Sequence, residues 1–407
     1  MTDARPLPLA GLKVLDLAWV VAGPLIGRSL ADYGATVVRV DSSKRVETAR
    51  LMGPFPGGRM DVQQSTLYEN CNAGKLGLAL DLRQEAARDV VRDLAVWADV
   101  AVESFTPGQM AKWGLGYDRL SAINPRLVMV STSLMGQFGR YTSYSGYGNH
   151  GAAIAGFQAV VGPEGGVPVG PFGPYTDYVA PRFGLVALLA ALDARARTGR
   201  GCHLDVSQSE AGIQFLAPHV ADCSVTGREL GARGNRDETM APHGMFPAAG
   251  WDSWVAIAAR DDGEWRRLAR IVGGESLAGD PRFATLAGRR THEDELERIV
   301  ADWTSARPVE EIEEILQGEA IPAHRAAATE DFVADPQLLA RGHLVRLDHP
   351  LMGEAVVEGS RYRLSRTPVT YARSAPTYGR DNETVLAGIL GYSPERIAAL
   401  REAGILA

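Results

Sequence analysis

The chain has 407 residues, of which 45% are hydrophobic and 22% charged, a composition typical of a soluble protein and a length that predicts two or three domains. Its formal net charge of -7 excludes a general attraction for nucleic acid or for an anionic membrane. The longest apolar run, near 185–192, is too short to span a bilayer. The cysteines Cys71, Cys202 and Cys223 form neither a CxxC pair nor a metal-ligand set, so we expect a cytoplasmic protein without a bound metal.

The first third of the chain alternates strand-like and helix-like segments. Runs of apolar and β-branched residues predict strands at 13–17, 36–40, 76–82, 100–102 and 127–131. Between them, a helix is predicted from Pro24 to Tyr33, where Gly34 ends it, and an amphipathic helix at 83–97. Continuous apolar strands that alternate with helices indicate a parallel sheet covered on both faces. The ligands of such sheets bind outside the carboxyl ends of the strands.

The composition changes again further along the chain. Residues 141–175 are rich in Gly, Pro and Ser, and we expect them to form functional loops. A polar run at 226–241 then precedes a predicted strand at 254–258 and predicted helices at 264–272, 293–305, 309–317 and 394–402. We therefore predict an α/β protein with a Rossmann-like, parallel-sheet large domain at 1–200, a linker at 201–225, a smaller α/β domain at 226–325, and a return segment at 326–407 that completes the large domain.

Several familiar motifs are absent from the sequence. The turn after the first strand, Ala18-Trp19-Val20-Val21-Ala22-Gly23-Pro24, lacks the GxGxxG pattern of a dinucleotide site, although Asp41 ends the second strand where a ribose-binding acid would lie. The chain also contains no Walker motif, no GxSxG nucleophile elbow and no HExxH zinc motif. These absences exclude the commonest nucleotide, hydrolase and metalloprotease interpretations.

Asp177 is the candidate nucleophile. It lies in the turn-rich stretch Gly170–Tyr178, just ahead of an apolar segment at 183–194 that predicts a buried helix. The positive end of a helix stabilises an anion, and a carboxylate in such a place can form an acyl intermediate. Asp is also a favoured N-cap residue, so this stretch alone leaves a capping role open.

Other polar side chains could bind a substrate. His150 lies in a Gly-rich stretch and could serve as a general base, although most histidines in loops are simply solvated. Lys75 and Lys112 could each contact a phosphate group as a compact cation. Taken singly, each is better explained as an ordinary surface lysine.

Short motifs follow one another along the chain from about residue 9 to 406. They are Leu9–Leu17 with Ala22-Gly23-Pro24, Leu30–Val40, Asn72–Lys75, Glu103–Gly108, Arg233-Gly234-Asn235, Ala241–Gly244, Asp280–Phe283, Asp335–Gln337 and Gly391–Ser393. In number and order they resemble the family III CoA-transferases, a family that also contains acyl-CoA racemases. No single motif is decisive, and their succession carries the resemblance.

The resemblance implies a reaction, a site and an assembly. Asp177 corresponds to the catalytic aspartate, which attacks an acyl-CoA thioester, passes through a mixed anhydride and an aspartyl-CoA thioester, and delivers CoA to a second carboxylic acid. A small dicarboxylate such as succinate is implied as the donor acid. The implied assembly is an interlocked homodimer. By position, the implied CoA and substrate site consists of Trp19, Val20, Val21, Ala22, Lys75, Ser104, Phe105, Lys112, Tyr147 and His150.

The sequence departs from the family pattern at several places. Some members have Asn at Ser104, Gln at Val21 and a basic residue at Ser42 or Ser133, and some have a glycine-rich lid after Gly234-Asn235 that is absent here. One alternative is an acyl-CoA racemase or isomerase, which needs a His opposite Asp177. Tyr147 occupies that position, and His150 follows three residues later. Another alternative is a non-catalytic CoA-binding subunit of a heteromer, against which the retention of Asp177 argues.

Overall fold

A computed structural model describes residues 6–229 and 231–406. The described chain forms two compact units. Unit 1 contains the described residues up to Phe157, Gly170–Arg228, and those from Gln337 onwards, whereas unit 2 contains Gln158–Val169 and the described residues of Glu229–Pro336. The domain boundaries drawn from the sequence stay a prediction. None of the helices in the described ranges combines the length and the apolar character that a membrane span requires.

Six parallel strands form the central sheet of unit 1. They are β1 (Lys13–Asp16), β2 (Thr36–Asp41), β3 (Leu76–Ala79), β4 (Val100–Glu103), β5 (Val128–Ser133) and β6 (His203–Ser207). Their order is β3-β2-β1-β4-β5-β6, so the direction of winding reverses between β1 and β4. The crevice outside the carboxyl ends at such a reversal is where doubly wound sheets bind ligands. The parallel α/β fold predicted from the sequence is confirmed.

Strand β6 was not predicted, because it does not have a continuous apolar run. Its sequence, His-Leu-Asp-Val-Ser, alternates polar and apolar residues, as suits an edge strand, and His203 and Asp205 are exposed. It pairs in parallel with β5 only. Residues 201–225, expected to be a linker, therefore contain a sheet strand as well as helical segments.

Helices cover both faces of this sheet. Between residues 22 and 226 they are α1 (Ala22–Asp32), α2 (Thr66–Asn72), α3 (Glu85–Trp97), α4 (Gln109–Lys112), α5 (Tyr117–Ile123), α6 (Gly148–Ala155), α7 (Phe157–Val160), α8 (Tyr175–Thr198), α9 (Gln208–Ile213) and α10 (Ala217–Thr226). Val14 on β1 packs with Ile26 of α1 and Leu188 of α8, whereas the next residue, Leu15, packs with Leu94 of α3 on the opposite face. This two-sided burial explains why the strands are apolar without interruption.

Two predictions about the middle of the chain are wrong. Residues 141–175 are not all loop, because α6 and α7 lie there. The first half of α6, Gly-Asn-His-Gly, consists of residues with low helix propensity, and the helix packs against α8 and α9. Helix α8 begins at Tyr175 rather than near residue 183. It is also not buried all round: Gly184 and Leu188 face the core, whereas Phe183, Val186 and Leu189 are exposed in the chain. An all-apolar helix does not reveal from sequence which face is covered.

Unit 2 is a small α/β unit. Its antiparallel sheet has the order β7 (His243–Pro247), β8 (Trp254–Ala258) and β9 (Ala323–Arg325). Its helices are α11 (Asp262–Ala278), α12 (Leu286–Thr291), α13 (Glu293–Ser305), α14 (Val309–Gly318) and α15 (Thr329–Ala334). Trp265 and Phe283 pack edge to face at a centroid distance of 5.9 Å, and Ile257, Leu296 and Ile312 complete the buried cluster around them. The strand and helices predicted between 254 and 317 are confirmed.

The C-terminal part of the chain belongs mostly to unit 1. Helix α16 (Pro336–Arg341) leads into the antiparallel hairpin β10 (Leu344–His349) and β11 (Gly353–Glu358). A π-helical segment at Thr384–Ile389 and helix α17 (Pro394–Glu402) follow. Val385 and Ile397 enter the same buried cluster as Leu15 on β1, so the end of the chain contributes to the core built by its beginning.

Candidate active site

Two adjoining cavities open at the carboxyl ends of the central strands in unit 1. The outer cavity has a volume of about 260 Å³, and the inner one about 130 Å³. Residues lining both are Trp19, Val20, Ser104, Phe105, Thr106 and Tyr147. Trp19 and Val20 follow β1 and Ser104 follows β4, so the shared wall lies at the point where the strand order reverses. The sequence predicted this edge of the sheet as the ligand side.

The outer cavity combines aromatic rings with two arginines. Arg45, after β2, lies 5.5 Å from the centre of the Trp19 ring, and Phe105 meets the same indole edge to face at 5.6 Å. Arg83, after β3, forms an ion pair of 2.8 Å with Asp81, whose pKa its hydrogen bonds lower to about 2. Asp41 and Asp81 line the same cavity, so this end of the cleft offers a stacking surface and charged groups of both signs.

The turn after β1 is tied to the loop after β4. Ser104 Oγ accepts a hydrogen bond from the Trp19 N–H at 2.8 Å and donates one to the Trp19 carbonyl at 3.0 Å. Four of the predicted contacts, Trp19, Val20, Ser104 and Phe105, thus line the cleft, and Ala22 lines its inner part. Val21 does not line either cavity, because its side chain packs into a buried cluster with Leu25 and Cys71.

The two predicted lysines lie away from both cavities. Lys75 precedes β3 and therefore lies at the amino end of that strand. Its side chain is fully buried, and Nζ donates to Asp16 Oδ2 at 2.6 Å, to the Pro24 carbonyl at 2.8 Å and to Asn72 Oδ1 at 2.8 Å. All three ammonium hydrogens are thus used within the protein, which leaves none for a phosphate. Lys112 is exposed at the end of α4 and lines neither cavity.

Asp177 lies in the inner cavity, where the beginnings of two helices meet. Asp177 is the third residue of α8 and is only 4% exposed. Its Oδ2 accepts a hydrogen bond of 3.2 Å from the N–H of Gly148, the first residue of α6. Thr176 Oγ donates to the Gly148 carbonyl at 3.0 Å and fixes the same contact from the other side. The N-cap of α8 is Pro174, so the capping interpretation of Asp177 is wrong.

Only glycine fits at the start of α6. A Cβ at position 148 would lie 2.4 Å from the Pro174 carbonyl oxygen and 2.6 Å from the Asp177 nitrogen, both of which are backbone atoms. This close approach lets a backbone N–H reach the carboxylate directly. The positive ends of α6 and α8 consequently face the same anionic side chain.

Burial dominates the acid–base behaviour of Asp177. Desolvation raises its pKa to about 6, although the hydrogen bonds from the Gly148 N–H and from the Gln208 side chain oppose the rise. No Lys, Arg or His occurs among the described residues that line the inner cavity. Above pH 6 the group is therefore a carboxylate with hydrogen-bond partners and no counter-ion, which is a suitable state for a nucleophile.

Three polar side chains around the inner cavity were missed by the sequence reasoning. Thr132, Ser133 and Gln208 are buried, and Thr132 Oγ, Ser133 Oγ and Gln208 Oε1 have no hydrogen-bond partner in the protein. Buried polar atoms without partners at a cavity are positions for a ligand or for water. The rule on carboxyl ends could have indicated Thr132 and Ser133, which end β5. Gln208 follows β6, the strand that the sequence did not reveal.

Tyr147 and His150 differ in their access to the cleft. Tyr147 lines both cavities, at the N-cap of α6. His150 lies on α6 rather than in a loop, is exposed, and its Nδ1 accepts a hydrogen bond of 3.2 Å from the Tyr147 N–H. It does not line either cavity, so it is not placed as a base opposite Asp177.

The sequence is similar to a known protein family over most of its length. The family described as CoA-transferase family III matches residues 9–382. Succinyl-CoA–D-citramalate CoA-transferase from Chloroflexus aurantiacus is 31% identical, over 98% of this chain and 99% of that protein. Succinate–glutarate CoA-transferase from Agrobacterium fabrum is 32% identical, over 95% and 97% respectively. The beta subunit of succinyl-CoA–L-malate CoA-transferase from Chloroflexus aurantiacus is 33% identical over 98% of each chain.

Solved structures agree with these sequence relationships. A CAIB/BAIF family protein from Brucella suis superposes with a TM-score of 0.87 at 28% identity, covering 95% of this chain and 100% of that one. A hypothetical protein from Mycobacterium tuberculosis gives a TM-score of 0.78 at 27% identity, covering 94% and 99%. Fold, motif order and relatives lead to one conclusion: this chain belongs to CoA-transferase family III and is an enzyme that transfers CoA between an acyl-CoA and a carboxylic acid.

Proposed function

We propose that this enzyme moves CoA from a small dicarboxylic acyl-CoA, such as succinyl-CoA, to a second carboxylic acid, with Asp177 as the nucleophile. The observation that carries the proposal is the position of Asp177, whose buried carboxylate faces the inner cavity beneath the Gly148 N–H. The donor follows from relatives whose names specify succinate or succinyl-CoA.

The reaction is a sequence of acyl exchanges on one carboxylate. An Asp177 oxygen attacks the thioester carbonyl, the C–S bond breaks, and CoA leaves as a thiolate from a mixed anhydride. The thiolate attacks the aspartyl carbonyl and releases the first acid, which leaves an aspartyl-CoA thioester. The incoming carboxylate attacks this thioester, and the CoA thiolate then attacks the acyl carbonyl of the new anhydride. The second acyl-CoA departs, and the Asp177 carboxylate is restored.

The inner cavity supplies the groups that this sequence needs. The Gly148 N–H holds one carboxylate oxygen, which orients the side chain for attack. The hydroxyls of Thr132 and Ser133 have no acceptor in the protein, and each can donate to the negative oxygen that develops on an attacked carbonyl. Gln208 contacts the Asp177 carboxylate and leaves its own Oε1 available to a substrate donor. We assign the acyl group to this cavity.

The outer cavity suits the nucleotide part of CoA. Trp19 and Phe105 offer aromatic faces, and Arg45 and Arg83 offer charge to phosphate groups. Ser42 stands where some family members have a basic residue, and Arg45, three positions later, supplies a cation to the same cavity. We therefore place the CoA contacts at Trp19, Val20, Ala22, Ser104, Phe105 and Tyr147, with Arg45 and Arg83 in place of Lys75 and Lys112.

A product assay in deuterated buffer tests the proposal. The enzyme and its Asp177→Asn variant are each incubated with succinyl-CoA together with one acceptor acid, which is citramalate, malate or glutarate in separate reactions. The acyl-CoA products are resolved by mass spectrometry. We expect a new acyl-CoA from the wild type alone, without deuterium at its α-carbon. Deuterium uptake without CoA transfer would indicate a racemase. Bound CoA without either change would contradict the proposed transfer and favour a non-catalytic subunit.

We further propose that the enzyme functions as an interlocked homodimer. The exposed apolar side chains Phe183, Val186 and Leu189 on α8, with Phe215 beside them, form a surface of the kind that an assembly buries. Relatives that include alpha and beta subunits show that heteromers also occur among similar proteins. Light scattering of the purified chain distinguishes a dimer from a monomer that needs a second, related chain.

A further inference from the structure

The turn between β1 and α1 contains a backbone conformation that its residue disfavours. Val20 has a φ of 66°, in the left-handed region. A β-branched residue rarely adopts this region, because its Cβ substituents crowd the backbone. Val20 also belongs to the wall shared by the two cavities. Strained residues at such positions persist only when neighbouring groups hold them.

Side chains from two other segments hold this turn. On one side, Ser104 forms the two hydrogen bonds to Trp19 described above. On the other side, Glu47 Oε2 accepts the N–H of Val20 at 3.2 Å. Two consecutive residues of the cleft wall are therefore fixed by side chains that come from distant parts of the sequence.

Glu47 is itself fixed by a buried network of charges. Arg39 Nη2 lies 2.6 Å from Glu47 Oε2, and Arg39 Nη1 lies 3.4 Å from Asp16 Oδ1. Asp16 Oδ2 in turn accepts from Lys75 Nζ at 2.6 Å. All four side chains are 0% exposed, and their two positive and two negative charges balance. An unpaired charge buried here would be costly, so each member of the network depends on its partners.

From these contacts we propose that Glu47, backed by Arg39, is a positioning residue that holds Val20 at positive φ and thereby keeps Trp19 in the wall of the acyl-CoA cleft. We call the Glu47–Arg39 pair the Val20 clamp. Without the clamp, Val20 returns to negative φ and the indole that lines both cavities moves with it. Lys75 and Asp16 support the clamp from behind, which gives Lys75 a role that needs no contact with CoA. The inference rests on the proposed position of CoA in this cleft.

The test removes the clamp without leaving an unpaired charge. In the double variant Arg39→Met/Glu47→Met, both members of the pair become apolar while Asp16 and Lys75 still neutralise each other, a change that buried ion pairs often tolerate. We expect the Kd for CoA, measured by calorimetry, and the KM for succinyl-CoA to rise by about tenfold or more, with a smaller change in kcat. Glu47→Gln keeps an acceptor for Val20 but leaves the buried network with an excess positive charge, so we expect the folded variant to retain CoA affinity while its free energy of unfolding falls.

Val20→Gly supplies the matched rescue. Glycine adopts positive φ without strain, so the triple variant that adds Val20→Gly to the double variant should bind CoA with a Kd within about threefold of that of Val20→Gly alone, which serves as its reference. A role for the pair in overall stability alone would not be rescued in this way. A triple variant as weak as the double variant would overturn the proposal.

A second variant keeps the inference testable if the double variant does not fold. Val20→Pro leaves the buried network intact but removes the N–H and forbids positive φ. We expect it to lose CoA affinity by a similar factor. If Val20→Pro bound CoA with wild-type affinity, the proposed role of the Val20 clamp would be contradicted, but the position of CoA in the cleft would not. If the wild-type protein did not bind CoA, the proposed position of CoA would be contradicted instead.

Discussion

The outer and inner cavities share a wall but differ in charge. The outer cavity is lined by two arginines, Arg45 and Arg83, and by two acids, Asp41 and Asp81, whereas Asp177 is the one charged residue among the described residues that line the inner cavity. A cation beside Asp177 would lower its pKa and weaken it as a nucleophile; burial without a cation raises its pKa to about 6. Among the described lining residues, cations therefore occur in the outer cavity, where phosphates would bind, and not in the inner one, where backbone N–H groups and hydroxyls would meet the reacting acyl group.

Removing the single charge of the inner cavity should have the largest effect. We expect Asp177→Asn to reduce kcat by about 10³-fold or more, because the amide cannot form the anhydride. It should bind CoA as the wild type does, since the outer cavity is unchanged. Steady-state rates with succinyl-CoA test the expected loss of kcat, and calorimetry with CoA tests the unchanged affinity. Retained turnover would show that the nucleophile lies elsewhere.

The next effect concerns the backbone donor rather than the charge. Gly148→Ala places a methyl group against the backbone of residues 174 and 177 at 2.4 and 2.6 Å, so the beginnings of α6 and α8 must separate. We expect kcat/KM to fall on the order of 10²-fold and the free energy of unfolding to fall by about 1–3 kcal/mol. Gly318→Ala is the control, because nothing lies within 4 Å of its added Cβ. If Gly148→Ala and Gly318→Ala had the same kcat/KM and the same free energy of unfolding, the close contact of position 148 with the backbone of residues 174 and 177 would be contradicted.

The unpaired carboxylate should also set the pH dependence. As pH falls below about 6, kcat/KM should decrease about tenfold per unit, because the protonated acid is not a nucleophile. Protonation of Asp177 has opposite effects on activity and on stability: it lowers kcat/KM but stabilises the folded protein. The folded-state pKa is raised, so the stability that the protonated group contributes is fully present below pH 3.8 and is lost as pH rises through 6.

It follows that Asp177→Asn should be more stable than the wild type at pH 8, by up to about 3 kcal/mol, and that most of this difference should be lost near pH 4. Denaturant titration at the two pH values measures it. A wild type that is more stable than the variant at pH 8 would indicate a cation partner for Asp177 that the cavity lining does not contain.

The smallest effects belong to the outer cavity. We expect Arg45→Ala to raise the KM for acyl-CoA by about tenfold with kcat nearly unchanged, because it removes a phosphate contact distant from the reacting atoms. Lys112→Ala, which removes the cation that the sequence favoured, should change KM by less than about twofold, since Lys112 lines neither cavity. Initial-rate kinetics at two salt concentrations compare them. A larger effect from Lys112 would restore the sequence-based assignment.

The parts of the site that follow strand ends could be predicted from the sequence. The apolar runs of β1 and β4 predict both strands, and Trp19 and Ser104, which the family resemblance named, follow those strands at the ligand side of the sheet. The rule that ligands bind at the carboxyl ends of the strands also argues against Lys75. This lysine precedes β3 and so lies at the amino end of that strand, where a ligand is not expected. The lysine was chosen for its chemistry, and its buried partners depend on residues distant in sequence.

What the sequence could not reveal depends on packing between elements. Gln208 follows β6, whose alternating polar residues conceal an edge strand. Helix α6 begins with Gly-Asn-His-Gly, four residues of low helix propensity, so the sequence indicated a loop at Gly148 and did not reveal its N–H contact with Asp177. Both features are stabilised by tertiary contacts that no local pattern records.

The most direct test of the central claim is intact-protein mass spectrometry after incubation with succinyl-CoA and quenching. Our account expects a mass increase, of a CoA or a succinyl group, that is removed by hydroxylamine, maps to Asp177 and is absent from Asp177→Asn. CoA transfer to a second acid without any adduct at Asp177, or an adduct that persists in Asp177→Asn, would contradict the assignment of this carboxylate as the nucleophile.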